Sequence, residues 1–251
     1  MHYFDTGHGG LRYHDWPGQG VPLLFVPGLG CAGSADWAGV AAHPALAGHR
    51  RLVVDLLGSG FSDKPADFPY SISAHARTLH DLLQALALPA VRLVGHSMGG
   101  AVAIELAGLL GERASALTLL EPNLDAGGGV FSRAVAAQSE ARFAETGQRR
   151  MAAMAAKEGS KLWAGTLASC APQAVHRAAV SLVTGAQPSW REQLLVLRLP
   201  RCVVFGQRSL PDEDLHRLPP LGVAVAVLPD AGHAMSEDNP DELARLLARL
   251  A

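Results

Sequence analysis

Short runs of apolar residues punctuate this chain at regular intervals, and the stretches between them carry apolar residues at helical spacing. Val21–Val26 is an unbroken apolar run halted by Pro27-Gly28, the pattern of a strand buried on both faces. Arg51–Asp55, Val91–Val94, Ala116–Leu120, Cys202–Phe205 and Val223–Leu228 repeat that style, and Leu11–His14 alternates as an antiparallel edge strand does. Between them, Ser73–Leu88 has helical periodicity, with Ser73 as its expected N-cap and Pro89 closing it. Ala101–Leu110 reads as a helix of small and aliphatic residues. Asp241–Leu250 sets Leu243, Leu246, Leu247 and Leu250 on one stripe behind Pro240. Strands alternating with helices predict an α/β fold with a mostly parallel, doubly wound sheet of about eight strands, covered on both faces.

From about 123 to 198 the alternation stops. The triple glycine Gly127-Gly128-Gly129 is followed by Ala- and Met-rich helical segments near 131–145, 148–157, 159–169 and 172–184, with no convincing strand. That is too long for an ordinary connection. The expected organisation is a core of residues 1–122 and 199–251, with 123–198 inserted as a helical cap over the strands' C-terminal ends. An ordinary crossover helix with a long loop is the alternative.

At 251 residues with 49% hydrophobic and 18% charged side chains, the chain can bury a full core without metals or disulfides. A formal net charge of −2 gives no electrostatic reason to expect nucleic acid or an acidic membrane as partner. The opening Met1-His2-Tyr3-Phe4-Asp5 is too polar for a signal peptide, and no apolar run reaches the ~18 residues of a membrane span. Cys31, Cys170 and Cys202 are dispersed, as free thiols in a reducing compartment would be. A cytoplasmic location is the expectation.

The chemistry concentrates at Val94-Gly95-His96-Ser97-Met98-Gly99-Gly100. A serine on a tight strand-to-helix turn is held in a strained conformation with its hydroxyl exposed, and glycines at 95 and 99 avoid collision with the neighbouring strand and helix. The helix start also aims N–H groups at negative charge developing beside the serine. A hydroxyl needs a base in reach, and Ala231-Gly232-His233 follows the last predicted strand, at the same edge of a parallel sheet.

With those residues in place, the chain resembles the α/β-hydrolase superfamily over nearly its whole length. Val26-Pro27-Gly28-Leu29-Gly30 is similar to the loop after that family's third strand. Asp55-Leu56-Leu57-Gly58-Ser59-Gly60-Phe61-Ser62 resembles its Asp-x-x-Gly-x-Gly-x-Ser turn, and Ala231-Gly232-His233 with Glu237-Asp238-Asn239-Pro240 its terminal histidine segment. The resemblance implies Ser97 as nucleophile, His233 as general base and then acid, and the backbone N–H groups of Leu29 and Met98 as oxyanion hole. Pro27 stands where many relatives have histidine, which removes a supporting side chain and leaves the donor intact.

The triad acid departs from the usual pattern. Relatives carry an aspartate after the strand that here reads Cys202–Gly206, whereas Gly206-Gln207-Arg208-Ser209 offers serine. A minority place the acid after the preceding strand, where this chain has Glu121-Pro122-Asn123. Glu121 is therefore the expected third member, with Asp212, Asp214 and Asp125 as alternatives. Trp163, Trp190 and Met154 are expected to line a substrate pocket, with Trp37 and Met151 as further candidates, and packing in helix cores is the alternative for each. His96 and Asp55 read as packing and turn-bracing residues, and Cys31 as a small buried filler. No metal-ligand spacing unites the remaining histidines, and the chemistry needs no cofactor. The implied activity is hydrolysis of an ester, thioester or related acyl bond of a small, largely apolar substrate through an acyl-enzyme. The alternatives are a carbon–carbon bond hydrolase or lyase on the same residues, and a weakly hydrolytic small-ligand receptor.

Overall fold

A computed structural model describes residues 1–250. Eight strands form one sheet: β1 His2–Asp5, β2 Gly10–Trp16, β3 Gln19–Val26, β4 His49–Asp55, β5 Val91–His96, β6 Ala114–Leu120, β7 Arg201–Gly206 and β8 Ala224–Leu228. Their order is β1-β2-β4-β3-β5-β6-β7-β8. Only β1 and β2 run antiparallel to their neighbours; the other six are parallel. The helices are α1 Gly33–Asp36, α2 Ala38–Ala41, α3 Ile72–Ala85, α4 Met98–Leu110, α5 Val130–Ala136, α6 Glu140–Arg142, α7 Gln148–Lys157, α8 Lys161–Ser169, α9 Pro172–Thr184, α10 Trp190–Val196, α11 Asp214–Arg217, α12 Met235–Asp238 and α13 Pro240–Leu250.

The unbroken apolar runs are explained by two cores, one on each face of the sheet. Leu24, Val26, Leu52, Val54, Leu93, Leu117 and Leu119 point to one side and meet α3, α4 and α10. Their chain neighbours Leu23, Phe25, Val53, Val94 and Leu120 point to the other and meet Trp37, Val40, Leu243 and Leu247. Successive strand residues face opposite sides, so a sheet covered twice needs apolar side chains at every position.

Strand β1 was not evident from the sequence, since His2–Asp5 is mostly exposed and pairs only with β2. Helix α3 starts two residues earlier than expected. Its N-cap is Ser71, whose hydroxyl accepts from Ala74 N–H at 3.2 Å, and Ser73 lies inside the helix. Between β6 and β7 no strand occurs among the described residues. This stretch contains α5 to α10 and has a small core of its own around Val135, Phe143, Leu167 and Val175. Helix α10 was not foreseen and packs against α4. No helix among the described residues is long and apolar enough to cross a membrane.

The register aligns the strand ends. Val26 lies beside Gly95, His96 beside Leu120, Leu120 beside Val204, and Gly206 beside Leu228. Every loop leaving these strands therefore emerges at one edge, which is where polar side chains from distant parts of the chain meet. The turn from β5 to α4 leaves no spare room there. A Cβ on Gly99 would sit 2.3 Å from the Val26 carbonyl oxygen, and one on Gly95 2.4 Å from that of Gly99. Backbone cannot move aside as a flexible side chain does. Gly99→Ala should therefore lower stability by roughly 3 kcal/mol or prevent folding, as read by chemical denaturation; a variant of unchanged stability would show the turn to be looser than described.

Candidate active site

Ser97 occupies the turn between β5 and α4 with φ 53° and ψ −117°. A residue with a Cβ adopts this region at a cost of about 1–3 kcal/mol, which the surroundings must enforce. They do: Ser97 N–H donates to Leu120 O at 2.9 Å, and Ser97 O accepts from Gly100 N–H at 2.9 Å and Asn123 N–H at 3.3 Å. The N–H of Met98 lies in the first turn of α4, where the helix itself provides no acceptor. Across the gap, Gly28 and Gly30 bracket Leu29. Cys31 N–H donates to Gly28 O at 3.2 Å and Gly30 takes φ 71°, turning the loop so that the Leu29 carbonyl points outward. That carbonyl accepts from Trp163 Nε1–H at 2.9 Å, and Gly30 O accepts from the Thr166 hydroxyl at 3.1 Å. Helix α8 thus fixes the loop from outside.

Glu121 stands at the end of β6 in a left-handed conformation, φ 39°. Its backbone is held by Val204 O, which accepts its N–H at 3.0 Å. One carboxylate oxygen, Oε1, accepts from Gly206 N–H at 2.8 Å, and the other, Oε2, accepts from His233 Nδ1–H at 2.6 Å. Burial pushes this acid up, but the His233 N–H, the Gly206 N–H, the His233 charge and the nearby Ser209 hydroxyl outweigh it and hold Glu121 below its ordinary range. The other three carboxylates are occupied elsewhere. Arg191 clamps Asp214 through two bonds of 2.8 and 2.9 Å and also holds Asp125, while Asp212 caps the Asp214 N–H at 2.8 Å.

His96, beside the serine, carries more of this arrangement than the sequence suggested. Its ring is buried and pushed down to about 3, chiefly by desolvation, so it is neutral. Its Nε2 lies 2.8 Å from His233 O, and since a carbonyl only accepts, Nε2 carries the proton. The two rings sit 4.7 Å apart. His96 therefore supports the backbone of the His233 loop from below. Ser236, three residues on, donates to Asp36 Oδ1 at 3.0 Å and ties the same loop to α1. Neither Asp36 nor Ser236 was marked by any motif.

Ser97, His233, Glu121 and Leu29 all line one cavity of about 770 Å³, although no hydrogen bond joins the Ser97 hydroxyl to the His233 ring in this state. Its apolar wall includes Leu124, Val130, Phe131, Trp163 and Phe205, with the Phe131 and Trp163 rings 4.6 Å apart. Two of the expected pocket residues are elsewhere. Trp190 is 1% exposed in the main core, where its Nε1–H donates to Glu105 at 2.8 Å; its size suits it to seal α10 onto α4. Met154 points to solvent on α7, away from the cavity. Trp37 is fully buried against Phe25 in the second core. Asp55 braces its turn, accepting from Ser34 and Phe61 N–H.

A model of the alpha/beta hydrolase fold family matches residues 21–169. An uncharacterised protein of Mycobacterium tuberculosis is 43% identical over 106 residues, 41% of this chain and 30% of that protein. A 2-hydroxymuconate semialdehyde hydrolase of a Pseudomonas species is 38% identical over 109 residues, 43% of this chain and 38% of that one. The matched part thus spans about a third of these curated relatives. Among solved structures, a thermophilic esterase from Thermogutta terrifontis superposes with a TM-score of 0.82 at 23% identity, over 96% of this chain and 93% of that one. The strand order, the serine turn and the family match agree: this chain belongs to the alpha/beta hydrolase fold family.

Proposed function

We propose that this chain is a serine hydrolase that cleaves an ester, thioester or related acyl bond of a small, largely apolar substrate. Ser97 Oγ attacks the acyl carbonyl as His233 Nε2 takes its proton. The carbonyl π electrons move onto oxygen, where the N–H groups of Leu29 and Met98 meet the charge, each contributing about 3 kcal/mol to the transition state. The carbonyl re-forms as the leaving group departs with the proton from His233, and an ester to Ser97 remains. Water, deprotonated by His233, repeats the sequence and releases the acid. Glu121 fixes the tautomer that leaves Nε2 free to accept and stabilises the imidazolium. Residues 123–198 act as the cap that excludes water and shapes the apolar wall. The observation that carries the reading is the Gly206–Glu121–His233 hydrogen-bonded chain ending in the cavity that the strained Ser97 faces.

Covalent labelling by a fluorophosphonate should be stoichiometric and vanish in Ser97→Ala, and p-nitrophenyl esters of graded chain length should be turned over by the native protein only. Heat stabilisation by small ligands with neither labelling nor turnover would instead mark a receptor. A carbon–carbon bond hydrolase on the same residues is a second reading, favoured by the Pseudomonas relative. It predicts faster cleavage of 2-hydroxymuconate semialdehyde than of any simple ester.

A further inference from the structure

The charges around the cavity are one-sided. Asp36, Glu121, Asp212, Asp214, Glu237 and Asp238 line it, and no lysine or arginine does. Two of the six are matched by a permanent cation, Asp214 by Arg191 and Asp238 by Arg208 at 2.6 Å, while Glu121 accepts from the His233 ring, a cation only when protonated. Asp36, Asp212 and Glu237 have no cationic side chain within ion-pair distance among the described residues. Asp36 is the most informative. Its Oδ1 accepts from Ser236, while Oδ2 is sealed from bulk water without any hydrogen-bond partner. Burial, with Glu237 adding to it and Ser236 and His233 opposing it, pushes this acid up to about 6. The cavity wall beside His233 thus holds a carboxylate with one oxygen unpartnered and no lysine or arginine paired to it. Leaving an ionised group so poorly compensated is costly, and a positive charge on a bound molecule would relieve it.

We infer that the cavity selects its substrate by charge, taking acyl substrates with a cationic group in preference to neutral ones and rejecting those that carry an additional carboxylate, with Asp36 and Glu237 as the specificity-determining pair. The inference rests on the serine-hydrolase reading for its chemistry but not for its binding. At about 7 Å the permittivity of water already lets a carboxylate alter the relative binding of two oppositely charged ligands by about tenfold, and the lower permittivity around a buried one by more. The same field favours the imidazolium that His233 becomes, and it repels the carboxylate product, hastening its departure.

Three butyrate esters of similar size test this: butyrylcholine, 3,3-dimethylbutyl butyrate and 2-carboxyethyl butyrate, with kcat/KM read by acid release at pH 7.5. The choline and dimethylbutyl esters differ by a quaternary nitrogen in place of a quaternary carbon, so shape is held constant. The native protein should rank cation over neutral over anion. Asp36→Asn, which keeps an acceptor for Ser236, should shrink the cation-to-anion ratio about tenfold, and Glu237→Gln on the exposed end of α12 should shrink it too, by about tenfold at most. Intrinsic ester reactivity cancels because each ratio is compared between proteins, and a disturbed loop would lower all three rates alike. If the native protein cleaves none of the esters, their dissociation constants for Ser97→Ala give the same ranking, and only the serine-hydrolase reading fails. A native ranking with the anion level with or ahead of the neutral ester, ratios unmoved in both variants, or neither turnover nor binding of any ester overturns the inference.

Discussion

Ser97→Gly should abolish turnover and at the same time make the protein more stable. Losing the nucleophile of a serine–histidine site removes about 10⁶ from kcat, because the other groups act only through it. Stability moves the opposite way for a backbone reason. Ser97 sits at φ 53° and ψ −117°, which a Cβ resists and a glycine accepts readily. The relief exceeds the extra chain entropy that glycine brings to the unfolded state, leaving a net gain of about 1 kcal/mol. For a chain of this size that raises Tm by about 2–4 °C. The hydrogen bonds that force the turn are all made by the Ser97 backbone, so they persist in the variant. Acid release and thermal unfolding measured on the same preparation decide the matter. Retained turnover would remove Ser97 from the mechanism, and a lowered Tm would mean that the hydroxyl, idle in this structure, stabilises the native state.

Glu121→Gln should cut turnover by about 10⁴, while Asp212→Asn and Asp214→Asn leave it within a few-fold. A glutamine is nearly the shape of glutamate but has one acceptor oxygen in place of two. Glu121 needs both, since Gly206 N–H and His233 Nδ1–H each donate to a different oxygen. If the amide oxygen serves Gly206, its NH2 faces Nδ1 and drives the imidazole proton to Nε2, where no serine proton can then be accepted. If it serves His233, a buried N–H is orphaned and the imidazolium loses its counter-charge. The carboxyl is held below its ordinary range, so its ionised form stabilises the fold above the value of an unfolded glutamate. That contribution fades as pH falls through the depressed value. The glutamine variant should therefore lose less stability on acidification than the native protein. An inactive Asp214→Asn beside an active Glu121→Gln would reverse the assignment of the acid.

Much of this was legible because it depends on local pattern. The β3, β4, β5, β6 and β7 runs are apolar at consecutive positions because both sheet faces are covered, and this marks buried strands without reference to any contact. The serine turn announced itself through glycines whose absence of a Cβ is a steric necessity. Glu121 stood out as a carboxylate at a strand end, once Ser209 was seen where an aspartate is usual. Misread positions depended on neighbours far away in the chain. Trp190 and Met154 have the composition of pocket residues, yet one is committed to Glu105, 85 positions earlier, and the other faces water. Strand β1 is too exposed to have a hydrophobic signature.

The chain by itself determined the buried strands, the long helices α3, α4 and α13 that cover them, and which hydroxyl and imidazole emerge at the shared edge, because side-chain alternation and steric demand act over a few residues. Only the folded molecule decided which carboxylate meets His233, that His96 and Ser236 hold its loop, and that one oxygen of Asp36 is left without a partner in the cavity wall. Those are relations between side chains up to 200 positions apart, and a hydrogen bond of 2.6 Å between residues 121 and 233 leaves no periodicity in the sequence that would reveal it.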